Sequence, residues 1–321
     1  MIKKKKILFI LLKAVSFVSL LFFVSIIYLL TIYPNETLLY FWNLFIPIVP
    51  LIILISVGTW RNICPLALVY QLPQLFGFSL KFSYPNSFRK WSFYMAIIFL
   101  FILIISRKIL LNTDATMLFY LLSFLILIVF FLGLLFSGKS GWCTSICPIY
   151  PIERLYGQKP LVKLKNCFIM NNNVCEKCTT RCFDKVKTNN YLFDIKSKKS
   201  DKQIERARKI FSGSFVGFVY GFFTVGNHPS NTVFEIYLYM ALYSFISFII
   251  FYFLIKIFSK FLEDSIISLF SIIAFNIYYF YTIPQSLNLL LPHYNTLYLH
   301  LMVQIFIVFL SYRWIKKLFL V

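Results

Sequence analysis

The amino-acid sequence predicts an all-α integral membrane protein of about eight transmembrane helices, with a cytoplasmic, cysteine-rich, ferredoxin-like loop. Composition, the recurrence of apolar runs and the placement of basic residues lead to that class. Of 321 residues, 60% are hydrophobic and 13% charged, and mean hydropathy is +0.79. Such a chain cannot cover its apolar surface in water and belongs in a bilayer.

About 20 apolar residues cross the roughly 30 Å of hydrocarbon. Runs of that kind lie near 7–33, 37–57, 91–106, 116–136, 233–259, 264–283 and 296–312. An eighth, Phe211–Val225, is short and carries Ser212, Gly213, Ser214, Gly217 and Gly221. Small residues of this kind suit close helix packing, with a re-entrant segment as the alternative. The opening MIKKKK and its apolar run resemble a signal peptide. The run is too long, and Ser25 to Glu36 has no small-x-small site, so an uncleaved first helix is expected, with Lys13 near its cytoplasmic end.

The net charge of +21 could suggest nucleic acid, but the lysines and arginines are distributed as topology determinants instead. With the N-terminus inside and eight spans, 29 of the 32 fall in cytoplasmic segments, sixteen of them in 137–210. Only Arg107 and Lys108 fall in an outer loop. This alternation predicts a multi-pass protein of the bacterial inner membrane with both termini cytoplasmic. It divides the chain into a four-helix region, 1–136, with a Cys-Pro loop at 58–90; a cytoplasmic segment, 137–210; and a C-terminal membrane region, 211–321. The end of the middle segment, KSKKSDKQIERARKI, reads either as a basic helix along an anionic membrane surface or as a solvated linker.

All seven cysteines, Cys64, Cys143, Cys147, Cys167, Cys175, Cys178 and Cys182, fall in the two loops that charge assigns to the cytoplasm. Thiols serving only as small hydrophobes would scatter through the spans, and a reducing compartment disfavours disulfides. Confinement to these loops therefore points to metal ligation. WRNICPLA holds Cys64-Pro65, and SGWCTSICPI holds Cys143 and Cys147-Pro148. A Cys-x3-Cys-Pro run ends bacterial ferredoxin motifs, where thiolates grip a cubane and proline turns the chain away. Gly138 and Gly141 are expected to bring backbone N–H groups to cluster sulfurs. Cys175-x2-Cys178-x3-Cys182 matches the last three positions of the ferredoxin spacing, with Asn172 at the first and Cys167 as its substitute.

One four-cysteine 4Fe-4S cluster on Cys167, Cys175, Cys178 and Cys182 is expected. A second on Cys64, Cys143 and Cys147 requires a foreign fourth ligand or a three-iron form, because Trp60 stands where a leading cysteine belongs. Pairing between the loops is a further arrangement. Zinc is the alternative metal, although zinc ribbons offer two Cys-x2-Cys knuckles and one is present here.

The residues CPLA, GWCTSICP followed by Pro151 and Glu153, and CEKCTTRC resemble the membrane-bound 4Fe-4S proteins of the NapH, NosR and CcoG type over about 60–184. The resemblance implies Cys-x3-Cys-Pro motifs at cytoplasmic helix ends ahead of a ferredoxin-like segment. It also implies quinol oxidation or electron supply to a partner reductase. This sequence departs from that pattern at Trp60, at Asn172 and in having a single ferredoxin run.

The resulting expectation is a membrane electron-transfer protein linking the quinone pool or a soluble donor to a membrane partner. It is a component of an oxidoreductase system and does not bind nucleic acid. A redox or metal sensor or assembly factor with a labile cluster is one alternative, and a transporter with a structural zinc site is another. His228, His293 and His300 fall near the outer face, where a haem pair or quinol site competes with a plain interfacial role. Glu235 and Asn276 lie in or near spans, where polar groups are costly. GKSG at 138–141 lacks the strand and leading glycine of a phosphate loop.

Overall fold

In the computed structural model, helix α1 runs over Ile2–Ile32, α2 over Pro34–Tyr40, α3 over Ile46–Ile63 and α4 over Pro65–Leu75. They are followed by α5 (Asn86–Ser106), α6 (Ala115–Leu135), α7 (Tyr150–Tyr156), α8 (Lys202–Thr224), α9 (Val233–Ile257), α10 (Glu263–Leu290) and α11 (Leu297–Phe319). π-helical turns, Phe41–Phe45 and Arg107–Leu111, join α2 to α3 and extend α5. The structure describes residues 2–82, 85–136, 138, 139, 141–157, 160–162, 202–225, 233–258, 263–292, 294 and 296–319. Among them there is no sheet, only an isolated bridge between Phe82 and Phe136.

Seven stretches are long and apolar enough to cross a membrane: Ala14–Ile32, Pro34–Leu75, Trp91–Leu111, Ala115–Leu135, Val233–Ile257, Glu263–Leu290 and Leu297–Lys317. Their outward sides carry Phe17, Phe22, Phe124, Leu127, Phe245, Ile250 and Ile305 in exposed positions. These are multi-pass membrane helices, whose backbone polar groups are satisfied within each helix. The eighth apolar run lies within α8, whose first turns carry Lys202, Glu205, Arg206, Arg208 and Lys209. Lys202–Ile210, expected as a surface helix or a linker, therefore continues directly into the apolar half. Arg208, 2% exposed, bonds Glu205 and reaches Asp264 of α10 at 3.0 Å, and Lys209 pairs with Glu263.

Glycine sets the closest helix approaches. A Cβ on Gly217 of α8 would lie 1.9 Å from the Tyr243 carbonyl oxygen of α9, and one on Gly133 of α6 would lie 2.0 Å from that of Tyr70 in α4. Gly213, Gly217 and Gly221 recur every four residues, so they share the face of α8 that meets α9. Polar side chains fasten neighbouring helices: Asn276 donates to Ser311 Oγ at 3.0 Å, and Ser212 donates to the Ile267 carbonyl at 3.1 Å. Asn276 thus links α10 to α11.

Several helices meet on one side of the bundle. Trp314 of α11 donates to the Tyr156 carbonyl at 3.1 Å, Lys317 to the Pro160 carbonyl at 2.6 Å, and Tyr156 to the Ser271 carbonyl at 3.0 Å. The start of α8 meets the start of α10 on this same side through Arg208 and Asp264. Leu155 and Tyr156 belong to the main hydrophobic core, so α7 is embedded in the bundle. On the opposite side, Trp42 donates to the Leu111 carbonyl at 2.7 Å, and Ser286 donates to the Asn43 carbonyl.

Candidate functional site

The two Cys-Pro motifs fold differently: α4 begins at Pro65, whereas Pro148 lies in a turn two residues ahead of α7. Cys64 is extended (φ −61°, ψ 121°) and caps α4, with Pro65 at the first helical position, where a missing N–H costs nothing. The freed N–H groups of Ala67 and Leu66 then point at the Cys64 sulfur. At the second motif the Ile149 N–H, just past Pro148, points at the Cys147 sulfur. At Cys64, where a helix starts directly after the cysteine, its first N–H groups are left to solvate that thiol.

Residues 141–149 form a run of turns held by the Trp142 carbonyl, which accepts from Ser145 at 3.0 Å and from Ile146 and Cys147 at 3.1 Å. This wrap turns Cys143 and Cys147 toward the end of α3. Gly138, in the left-handed region at φ 65°, lets the chain leave α6 for these turns.

The glycine N–H groups do not take the role expected for them. Gly138 donates to Gln74 Oε1 at 2.9 Å and Gly141 to the Tyr70 hydroxyl at 3.0 Å. Both donors are buried and are satisfied by α4, as buried N–H groups must be. The sulfur-directed donors are instead Leu66, Ala67 and Ile149, following the prolines.

Cys64, Cys143 and Cys147, from separate loops, line one cavity of about 300 Å³. Arg61, Lys139 and Glu153 lie in its wall, and its remainder is mostly aromatic and aliphatic, including Trp60, Phe215, Phe275 and Tyr278. Arg61 pairs with Glu153 at 3.1 Å, both nearly sealed from solvent, and Lys139, 1% exposed, donates to the Arg61 carbonyl at 3.0 Å. Burial pushes the Cys143 thiol up to about 12, against the pull of Arg61 and Lys139. Burial raises Cys147 as well, with Cys143 and Glu153 adding to the effect. Both are therefore neutral thiols at physiological pH unless a metal replaces the proton.

Removing the Glu153 charge strands Arg61 in the interior. Glu153→Gln is expected to lower stability by about 3–5 kcal/mol, read as a fall in the thermal unfolding midpoint in detergent. Glu153→Asp would lose less by keeping the charge, and equal midpoints for the two variants would contradict this account.

Among the described residues no group of three or more His, Cys, Asp or Glu is gathered closely enough to hold a metal ion. The three thiols share a cavity wall without closing on one point. Cys167, Cys175, Cys178 and Cys182 lie outside the described residues, as do His228 and His293. His300 packs its ring 6.1 Å from that of Phe280, and its buried Nε2 has no partner. Glu235 lies in the first turn of α9.

Sequence reading missed Arg61 and Lys139, which lay in its charge count as topology determinants. Their separation from the cysteines in sequence, three and four residues, was the available signal.

Fold and site together define a helical, multi-pass membrane protein with an internal cavity that is lined by the three thiols and reaches Trp42 and Arg107. No protein-family model, curated protein or solved structure matches this chain.

Proposed function

We propose that the chain is a membrane-bound iron-sulfur electron-transfer protein, passing electrons between the quinone pool or a soluble donor and a membrane partner. The observation that carries this reading is the convergence of Cys64, Cys143 and Cys147 on one cavity, with Arg61 and Lys139 beside them. In a cubane each thiolate binds its own iron, so ligands from separate loops line a space rather than meet at a point. When bound, such a cluster supplies one-electron redox chemistry. The chain's own residues hold and tune it. With a cluster bound, Arg61 and Lys139 would offset thiolate charge, the N–H groups of Leu66, Ala67 and Ile149 would favour the thiolates of Cys64 and Cys147, and the aromatic wall would exclude water.

Cys167, Cys175, Cys178 and Cys182 would hold a 4Fe-4S cluster by their spacing. Any of them, or an outside group, supplies the fourth ligand that Cys64, Cys143 and Cys147 lack. The cavity's apolar wall offers a lipid-soluble quinone a path from the membrane toward the thiols. The basic segments and the cysteines belong to the cytoplasmic face of a bacterial inner membrane in this reading.

Anaerobic purification with iron and sulfide analysis and EPR tests it. The expected preparation is brown, holds iron and sulfide in equal amounts, and gives a cubane signal on reduction. A preparation holding zinc and no sulfide would end the reading.

A further inference from the structure

A second cavity, of about 670 Å³, lies on the face opposite the cysteines, with Arg107, Lys108, Asn112, Asn35 and Gln285 in its wall. Trp42, beside it, is 22 residues from Cys64 along α3 and its π-helical turn. The electron-transfer reading does not use this site.

Arg107 is 8% exposed and has only neutral partners. Its Nε donates to Asn112 Oδ1 at 3.2 Å and its Nη2 to the Trp42 carbonyl at 3.5 Å. Its guanidinium carbon lies 4.5 Å from the Trp42 ring centroid and 5.1 Å from that of Phe222. Lys108 donates its Nζ to the Phe222 carbonyl and lies 5.1 Å from the same ring. Among the described residues no carboxylate pairs with either. Nearby, the buried Tyr278 hydroxyl has no hydrogen-bond partner, and Tyr278 and Arg107 both line the thiol cavity. A buried guanidinium beside a half-buried ammonium, with no carboxylate to pair either among the described residues, is costly, and a bound anion offsets that cost.

We infer that Arg107 and Lys108 form a binding site for a phosphate group at the membrane face opposite the cysteines. A planar guanidinium fork beside an ammonium suits a tetrahedral oxyanion, and the amides of Asn35 and Gln285 add neutral donors. Phosphate is the abundant oxyanion at a bilayer surface. Leu38 and Leu39 in the same wall, the latter 50% exposed, give an attached acyl chain an apolar path to the membrane. The headgroup of an anionic phospholipid thus fits better than free phosphate.

Calorimetric titration of the full-length detergent-solubilised protein with dihexanoyl phosphatidylglycerol and, separately, inorganic phosphate tests this. The short-chain lipid binds the native protein. Lys108→Gln and Arg107→Gln each weaken it by roughly tenfold or more, the loss of a charge-assisted contact, while Lys108→Arg and Lys256→Gln leave it unchanged. Phosphate binding as tightly as the lipid, with the same sensitivity, assigns the site to the free ion. Lack of binding by both ligands, or binding indifferent to Lys108→Gln, overturns the proposal. Lys108 is only half-buried, so that variant carries the test even where Arg107→Gln fails to fold.

Discussion

Cys143→Ser is expected to remove roughly half of the bound iron and sulfide from the anaerobically purified protein, and Cys175→Ser the remainder, if each thiol set holds its own cluster. The two sets differ in how they are built. Cys143 is 8% exposed and faces Arg61 and Lys139 across a shared cavity, whereas Cys175 follows ferredoxin spacing in a segment outside the described residues. The loss in Cys143→Ser should appear as one missing EPR component with the other unchanged in shape. Clusters bridging the two loops predict instead that either variant loses all of the iron. If iron and sulfide are untouched in both variants, neither thiol set holds a cluster.

Gly217→Ala should be the most damaging single-methyl change in the membrane region. Its Cβ would fall 1.9 Å from the Tyr243 carbonyl oxygen and 2.8 Å from the Ser247 Cβ, so α8 and α9 must separate along their whole contact. Forced overpacking of this kind costs about 3 kcal/mol. Gly221→Ala, one turn further on, meets the Tyr243 ring at 3.1 Å and its Cβ at 3.4 Å, with the Met240 Cα at an ordinary 3.5 Å, and should cost far less. Thermal unfolding in detergent measures the difference. Equal losses for the two variants would show that the helices are not held at backbone contact.

Much of this was legible along the chain. The seven long apolar helices follow from composition, because each span must satisfy its own backbone and face lipid. The small residues at 212–221 correctly announced close packing, since a helix presents every fourth residue to one neighbour. The glycines at 138 and 141 misled. Their N–H groups reach Gln74 and Tyr70, polar residues brought in by α4 from more than 60 positions away, and sequence spacing carries no sign of that meeting. Of the two prolines expected to turn the chain away after a cysteine, Pro65 starts α4, whereas Pro148 lies in a turn ahead of α7.

The sequence by itself determined the class of protein and the approximate spans, because hydropathy acts locally; Cys64, expected in a loop, instead lies at the junction of α3 and α4 within a long apolar stretch. Only the tertiary structure decided that Cys64 shares a cavity with Cys143 and Cys147, that Arg61 meets Glu153 across 92 residues, and that Arg107 and Lys108 stand together with no paired carboxylate among the described residues. Those relations depend on which helix faces pack, and packing is a property of the whole bundle rather than of any segment.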